Sequence, residues 1–407
     1  MLSECQGSTL MVTQITHPSK ISHERVWKKL KMASSLFLVS LFFSFHNNKT
    51  LGKLKMSAGN LLNEVCVYLG QVIDYITYAY NTFLSIIFLR VFKQQPFQVH
   101  LPTKTFHPAV LVTGTSSGIG RNTALTLAIR GYTVFATIRR EEDAKELQET
   151  FKQFENPKGG SLHTLIMDVT KKDDISNAHM AVRSHVGREI PFIGLINNAS
   201  FVKYLPLEVA SEDAYAESFN TNFFGIVNVT KKFLPLLREN RGRVINIGSI
   251  ASWEGSPFMG VYASTKAAVR ALTRIWRMET RSTGVHFSLI EPGIISTRLS
   301  DQIIENYRSF TSFPSNSRYY AIPHSITSNV IKSYENMYKM VGKWSESFII
   351  NAAPPDIVTD AIVHALTAPF PKNTYYVGLD ARFLATLNWL LGDRISEAVQ
   401  VKALTLQ

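Results

Sequence analysis

The chain has 407 residues, 45% of them hydrophobic and 18% charged, with 22 glycines and 16 prolines. That composition excludes wholesale disorder and collagen-like repeats, and the length suits one large or two modest domains. Only two cysteines, Cys5 and Cys66, are present, so no disulfide scaffold is expected, and the chain beyond residue 100 has no thiol nucleophile and no thiolate metal site. The net charge of +12 is uneven: residues 1–106 carry 11 Lys/Arg against 4 Asp/Glu. No basic stripe interleaved with aromatics accompanies it, so nucleic acid is not an expected partner. The basic residues flank apolar segments instead, which points to a membrane surface.

Residues 1–31 are polar and end in a cluster of Arg25, Lys28, Lys29 and Lys31. The uncharged run 32–45 (MASSLFLVSLFFSF) follows, shorter than the ~20 residues that span a bilayer. It fits an uncleaved signal-type segment or an interfacial one. A second apolar segment, 61–92, is interrupted by Glu64 and Asp74 and then stays uncharged from Tyr75 to Arg90. Together they predict an N-terminal extension, residues 1–106, that anchors the protein on a membrane through one or two hydrophobic helices. The competing reading is an amphipathic helix packed on the catalytic domain. Lysines and arginines flank both segments, so orientation stays open. Residues 93–108 carry three prolines and read as a linker.

At Ala109 the pattern changes. AVLVTG predicts a β-branched strand, Arg121–Arg130 a helix, and YTVFATI after Gly131 a second strand. Strand, glycine loop, helix and strand within about 30 residues form the βαβ unit that binds a dinucleotide and builds a parallel sheet. In TGTSSGIG, Gly114 lets the chain turn out of the strand. Gly118 admits the backbone to a pyrophosphate, and Gly120 lets the helix sit close to the strand. The helix N-terminus offers free N–H groups and the positive end of its dipole.

The TGxxxGxG spacing resembles the short-chain dehydrogenase/reductase family, whose other motifs follow in order. Asp168 lies in LIMDVT, Asn197–Ser200 reads NNAS where the family has NNAG, and Asn222 lies in NFFG. Ser249 precedes Tyr262 by 13 residues, Lys266 follows four later, and Pro292–Thr297 reads PGIIST. The resemblance is tight over residues 108–300 and loose to about 390. It implies an α/β fold for residues 107–407, a Rossmann-like doubly wound parallel sheet in one catalytic domain. It also implies a catalytic set of Asn222, Ser249, Tyr262 and Lys266. The implied cofactor contacts begin at the phosphate loop, with Gly114, Ser116, Ser117, Gly118, Ile119 and Gly120. They continue through Arg139 and Arg140, then Asp168 and Val169 near the adenine, and Asn198 and Ala199. They end at Tyr262, Lys266, Pro292, Gly293, Ile295 and Thr297 around the nicotinamide.

Tyr262 and Lys266 are i and i+4 on a helix, so they share a face. A free tyrosine, with a pKa near 10, is too weak a base at neutral pH, and a nearby ammonium favours the phenolate. The expectation is that Lys266 and a nicotinium charge together lower Tyr262. Tyr262 then takes the alcohol proton in oxidation or donates it in reduction, while Ser249 holds the substrate oxygen. From the family, Lys266 also holds the nicotinamide ribose, and Asn222 anchors a water that links the lysine to solvent.

An acid at the end of the second strand would bind the adenosine ribose and repel a 2′-phosphate. That place holds Ile138, followed by Arg139 and Arg140, which favours NADP(H) and leaves NAD(H) open. Residues 298–353 are long and aromatic, including Tyr334, Tyr338, Trp344 and Phe348, and predict a lid over a lipophilic substrate. The stretches Pro354–Leu366 and Thr374–Ala381 are similar to the branch holding retinol, 17β-hydroxysteroid and 3-hydroxybutyrate dehydrogenases. Membrane attachment favours a steroid or retinoid over a small hydroxy acid. The resemblance to steroid and retinol enzymes, without an Arg-rich, Ser-rich transit pattern at the N-terminus, implies the endoplasmic reticulum, with mitochondria as the alternative. Phe383–Leu391 (FLATLNWLL) suits a membrane or a partner subunit, and a homodimer or homotetramer stays open. Other readings are an NAD-dependent dehydrogenase of a small hydroxy acid, a cofactor-binding scaffold without turnover, and an epimerase-like relative.

Overall fold

A computed structural model describes residues 106–155, 158–301, 324–349 and 352–386, with a few single positions besides. The expected membrane segments, apart from Phe83, lie outside the described residues, as do residues 302–320 of the expected lid. Among the described residues, no helix is long and apolar enough to cross a membrane.

The first strand, β1 (Ala109–Thr113), is buried along its whole length. The same holds for β2 (Thr133–Ile138) and β4 (Phe192–Asn197). Such continuous apolar runs are the mark of parallel strands covered on both faces. With β3 (Ser161–Ile166), β5 (Arg243–Ile247), β6 (His286–Pro292) and β7 (Thr374–Val377), they form one sheet in the order β3-β2-β1-β4-β5-β6-β7. Every pairing is parallel.

Alternation along β1 shows why both faces are covered. Val110 and Val112 enter one core cluster, and Ala109 and Leu111 enter the other. The first cluster takes α1 (Gly118–Ile129), α2 (Glu141–Lys152) and a late helix, Asp356–Thr367. The second takes α3 (Lys172–His185) and a helix at Gly225–Glu239. This is the expected doubly wound arrangement. The strand order reverses between β1 and β4, the switch point where a crevice opens at the carboxyl ends of the strands.

In the second half, α4 (Glu212–Phe219) passes through a π-helical turn, Asn220–Phe224, into α5 (Gly225–Glu239). Then come α6 (Gly260–Glu279), α7 (His324–Ser333), α8 (Glu335–Ile349) and α9 (Asp356–Thr367). A short helix over residues 379–386 follows β7.

Candidate active site

A cavity of about 590 Å³ lies at the carboxyl ends of the strands. It is lined by the segments that follow β1, β2, β3, β4, β5 and β6, and by Ser345 and Ile349 of α8. Of the residues expected from sequence, all line it except Gly120, Arg140 and Asn222.

The loop after β1 is built by close approach. Gly114 has φ +69°, and a Cβ there would stand 2.7 Å from the Ala199 Cα. A Cβ on Gly120 would stand 2.3 Å from the Gly114 carbonyl oxygen. Asn198 ties the two segments by donating from Nδ2 to the carbonyls of Thr113 and Gly114, both at 2.9 Å. Ser117 stands at the N-cap of α1, yet its side chain makes no bond to the helix. The first N–H groups of α1 are therefore not capped by that hydroxyl, the condition under which a helix N-terminus receives a phosphate.

At the far end of β2, Arg139 lines the cavity beside Thr137 and Ile138. Arg140 departs from the expectation. It turns away and forks onto Asp143, with bonds of 2.8 and 2.7 Å, because an acid three residues along the helix offers a nearer partner. The hydrogen bond from Arg140 holds the Asp143 carboxyl below its usual range, with the charges of Arg298 and Arg139 acting in the same direction. Asp168 lines the cavity and forms an Asx turn, accepting from the Thr170 N–H at 2.9 Å and its hydroxyl at 2.8 Å.

The reacting groups sit around the ends of β5 and α6. Ser249 caps a short turn, Ile250–Ser252, and its hydroxyl also meets Tyr262. Lys266 donates from Nζ to the Ile247 carbonyl at 2.9 Å and stands 5.5 Å from the Tyr262 ring centroid. Burial pushes the Tyr262 phenol up to about 12, opposed by the Ser249 hydrogen bond. Burial pulls Lys266 down to about 7. The expected lowering of Tyr262 by a lysine ammonium is therefore not met by these two residues alone. Desolvation outweighs it and strips Lys266 of part of its charge near neutral pH.

Asn222 lies behind the cavity wall. It is fully buried and its amide is saturated. Oδ1 accepts from the Ser200 hydroxyl at 3.1 Å and the Phe201 N–H at 3.0 Å, while Nδ2 donates to the Phe201 carbonyl at 2.9 Å and Thr265 Oγ1 at 3.1 Å. This side chain has no group left for a water. It clamps the end of β4 onto α6, and Ser200 supplies a bond that glycine cannot.

Among the described lid residues, Tyr334 and Tyr338 pack and do not line the cavity. The ring of Tyr338 lies 4.1 Å from that of Phe258, and its hydroxyl donates to the Tyr204 carbonyl at 3.3 Å. Tyr334 donates to Glu208 at 2.8 Å. The side chains of Trp344 and Phe348 lie outside the described residues.

Two acids, Glu291 behind the site and Asp380 in its wall, carry no motif in the sequence. Glu291, fully buried on β6, accepts from Ser252 and forms an ion pair of 3.0 Å with Arg270 of α6. Arg270 also reaches the Tyr376 hydroxyl on β7 at 3.3 Å. Asp380 lines the cavity and binds the Ile294 N–H at 2.6 Å. Both depend on partners far away in sequence, and no local motif marks them.

The family model described as short chain dehydrogenase matches residues 108–308. The 17-beta-hydroxysteroid dehydrogenase type 6 of Rattus norvegicus is 31% identical over 307 residues, 74% of this chain and 89% of that protein. The chain belongs to the short-chain dehydrogenase/reductase family. Retinol dehydrogenase 7 of Rattus norvegicus is 30% identical over 316 residues, 76% of this chain and 92% of that protein, so membership extends to the branch that holds both. A crystal structure of a short-chain dehydrogenase from Streptomyces avermitilis shares the fold. It has a TM-score of 0.54 at 24% identity and covers 73% of this chain and 97% of that one. As a family member the chain is an NAD(P)-dependent alcohol dehydrogenase or carbonyl reductase. The uncapped α1 terminus, the close-packed glycine loop and the line of residues from Arg139 to Thr297 fit a nicotinamide dinucleotide laid across the switch point.

Proposed function

We propose that this chain is a membrane-attached, NADP(H)-dependent oxidoreductase that interconverts a lipophilic alcohol, steroid- or retinoid-like, with its ketone or aldehyde. The observation that carries this reading is the substrate end of the cavity. Ser249 and Tyr262 line the same cavity as Phe201, Tyr204, Ile250, Pro257, Met259 and Leu384. Such a surface rewards burial of an apolar skeleton and leaves one oxygen to be held by two hydroxyls. The names of the relatives, steroid and retinol dehydrogenases, support the same substrate class.

The bound cofactor supplies the hydride acceptor for oxidation and the hydride donor for reduction. Ser249 orients the substrate oxygen against Tyr262. A phenol pushed up to about 12 is loaded with its proton, which suits donation to a carbonyl oxygen in the reductive direction. In the reverse direction Tyr262 takes the alcohol proton, and positive charge brought into the cavity favours that step. Lys266 is placed four residues on, to contact the cofactor ribose. Arg139 reads the 2′-phosphate, with Arg298 adding positive charge near Asp143 at the same end. Residues 32–92 hold the protein on a membrane, that of the endoplasmic reticulum, and residues 107–407 form the catalytic unit.

The test is turnover of full-length protein with NADPH and NADH against steroids, retinoids and small hydroxy acids. Reduction of a steroid or retinoid carbonyl with NADPH is the expected result. In Arg139→Ala, KM for NADPH rises about tenfold more than KM for NADH. Turnover of small hydroxy acids alone, or equal effects on both cofactors, overturns the reading.

A further inference from the structure

Asp380 stands where the cavity wall meets the loop Pro292–Thr297. It follows β7 through Gly378, whose φ of +106° turns the chain back towards the cavity. Oδ2 accepts from the Ile294 N–H at 2.6 Å, and further main-chain N–H donors come from Ala381 and from Asp380 itself. The fit is tight enough to demand glycine on two sides. A Cβ on Gly293 would lie 2.1 Å from either carboxylate oxygen, and one on Gly378 would lie 2.4 Å from Oδ1. The carboxylate therefore rests directly on the backbone of the loop.

Its hydrogen bonds are satisfied; burial pushes its carboxyl above the usual carboxylate range, and the main-chain N–H donors pull the other way. Every donor to it is a neutral amide, and among the described residues no lysine or arginine forms an ion pair with it. The titratable groups sharing its cavity are Tyr204, Tyr262, Lys266, Arg139, Asp168 and Glu254. Of these, Lys266 is bound to the Ile247 carbonyl and Arg139 lies at the opposite, β2 end. A structural latch on Ile294 needs an acceptor and does not need a net negative charge. A buried charge without a cation is costly unless something in the site uses it.

We infer that Asp380 both fixes the nicotinamide-facing loop and sets the preference between the two redox forms of the cofactor, favouring the oxidised one. The inference rests on the reading that Pro292–Thr297 meets the nicotinamide. The oxidised ring carries a positive charge and the reduced ring is neutral, so a carboxylate in the adjoining wall attracts one and is indifferent to the other. Its burial keeps that attraction from being screened. Asp380 is thus a positioning and electrostatic residue, acting on the cofactor and not on the substrate.

The experiment is equilibrium binding of oxidised and reduced cofactor to purified full-length protein, followed by tryptophan fluorescence, with thermal melting as the check on folding. Asp380→Asn keeps an acceptor for the Ile294 N–H and removes the charge. It is expected to raise Kd for the oxidised form about tenfold and to leave Kd for the reduced form within about twofold. Asp380→Ser, a smaller neutral side chain, provides the same ratio should the asparagine variant fail to fold. An equal change for both forms, or none, overturns the inference and leaves Asp380 a latch. Wild-type protein that binds neither form overturns the cofactor reading together with it.

Discussion

The two halves of the sheet differ in the ionisable groups they bury. From β1 to β4 the buried polar residues are threonines and one asparagine: Thr113, Thr115, Thr123, Thr133, Thr137 and Asn197. From β5 onward ionisable side chains join the buried threonines, serines and asparagine: Arg243, Lys266, His286 and Glu291. The first half works with main-chain N–H groups and close-packed glycines, which hold a ligand by shape. The second half works with desolvated ionisable side chains, whose affinity for a proton is set by burial. Binding needs backbone approach, whereas proton transfer needs a side chain displaced from its ordinary pKa.

The sharpest way to break this comparison is at Tyr262. Tyr262→Phe is expected to lower kcat by about a thousandfold while cofactor Kd stays within about twofold, measured by steady-state turnover and by direct titration. A large loss of cofactor affinity would mean that the second half also binds by shape. Next in size is Lys266→Met. Lys266 sits at about 7 in the folded protein against 10.5 unfolded. Between those values the unfolded chain holds a proton that the folded chain lacks, so stability rises with pH across the window. The methionine variant should melt above wild type at pH 7, and the gap should close as the pH approaches 10.5. A constant gap would show that Lys266 is not desolvated.

In the first half, Gly114→Ala forces a Cβ to 2.7 Å from Ala199 at a φ of +69°. The expected loss is ~1–3 kcal/mol in urea denaturation, together with weaker cofactor binding. Gly187→Ala, where a Cβ meets nothing within 4 Å, is the control and should stay within about 0.5 kcal/mol. The smallest effect belongs to the joint between the halves. Ser200→Gly removes one hydrogen bond to Asn222, worth about 1 kcal/mol, and should change kcat by less than about twofold.

The first half was the more legible from sequence, and the reason is physical. A continuous apolar run such as AVLVT and glycines at fixed offsets are local requirements, and local patterns survive in a one-dimensional string. Helix periodicity places Tyr262 and Lys266 on one face, and the resemblance to the family's spacing joins Ser249 to them; the fold brings all three to one cavity. The sequence offers Arg140 both a phosphate and the neighbouring acids Glu141, Glu142 and Asp143, and the fold shows its fork on Asp143. Saturation of the Asn222 amide was not legible, because it depends on Ser200, Phe201 and Thr265, which only the fold assembles. Asp380 was invisible as a site residue because its partner, Ile294, is 86 positions away. The lid aromatics were read as a substrate cover, whereas Tyr334 and Tyr338 serve to dock α8 on Phe258, Glu208 and Tyr204.

The Arg270–Glu291 pair restricts the paths by which this sequence can drift over generations. Glu291 has no exposure to water, and Arg270 is its cation. Replacing Arg270 alone strands that carboxylate, at a cost of about 3–5 kcal/mol. For a fold with a margin of roughly 5–15 kcal/mol, such a single step removes much of what keeps it folded. Replacing both residues together with apolar side chains of similar volume is close to neutral. The two positions, 21 residues apart in the chain, therefore face each other across a fitness valley. A lineage leaves this pairing by a coupled change, or after stabilising substitutions elsewhere have made the intermediate viable.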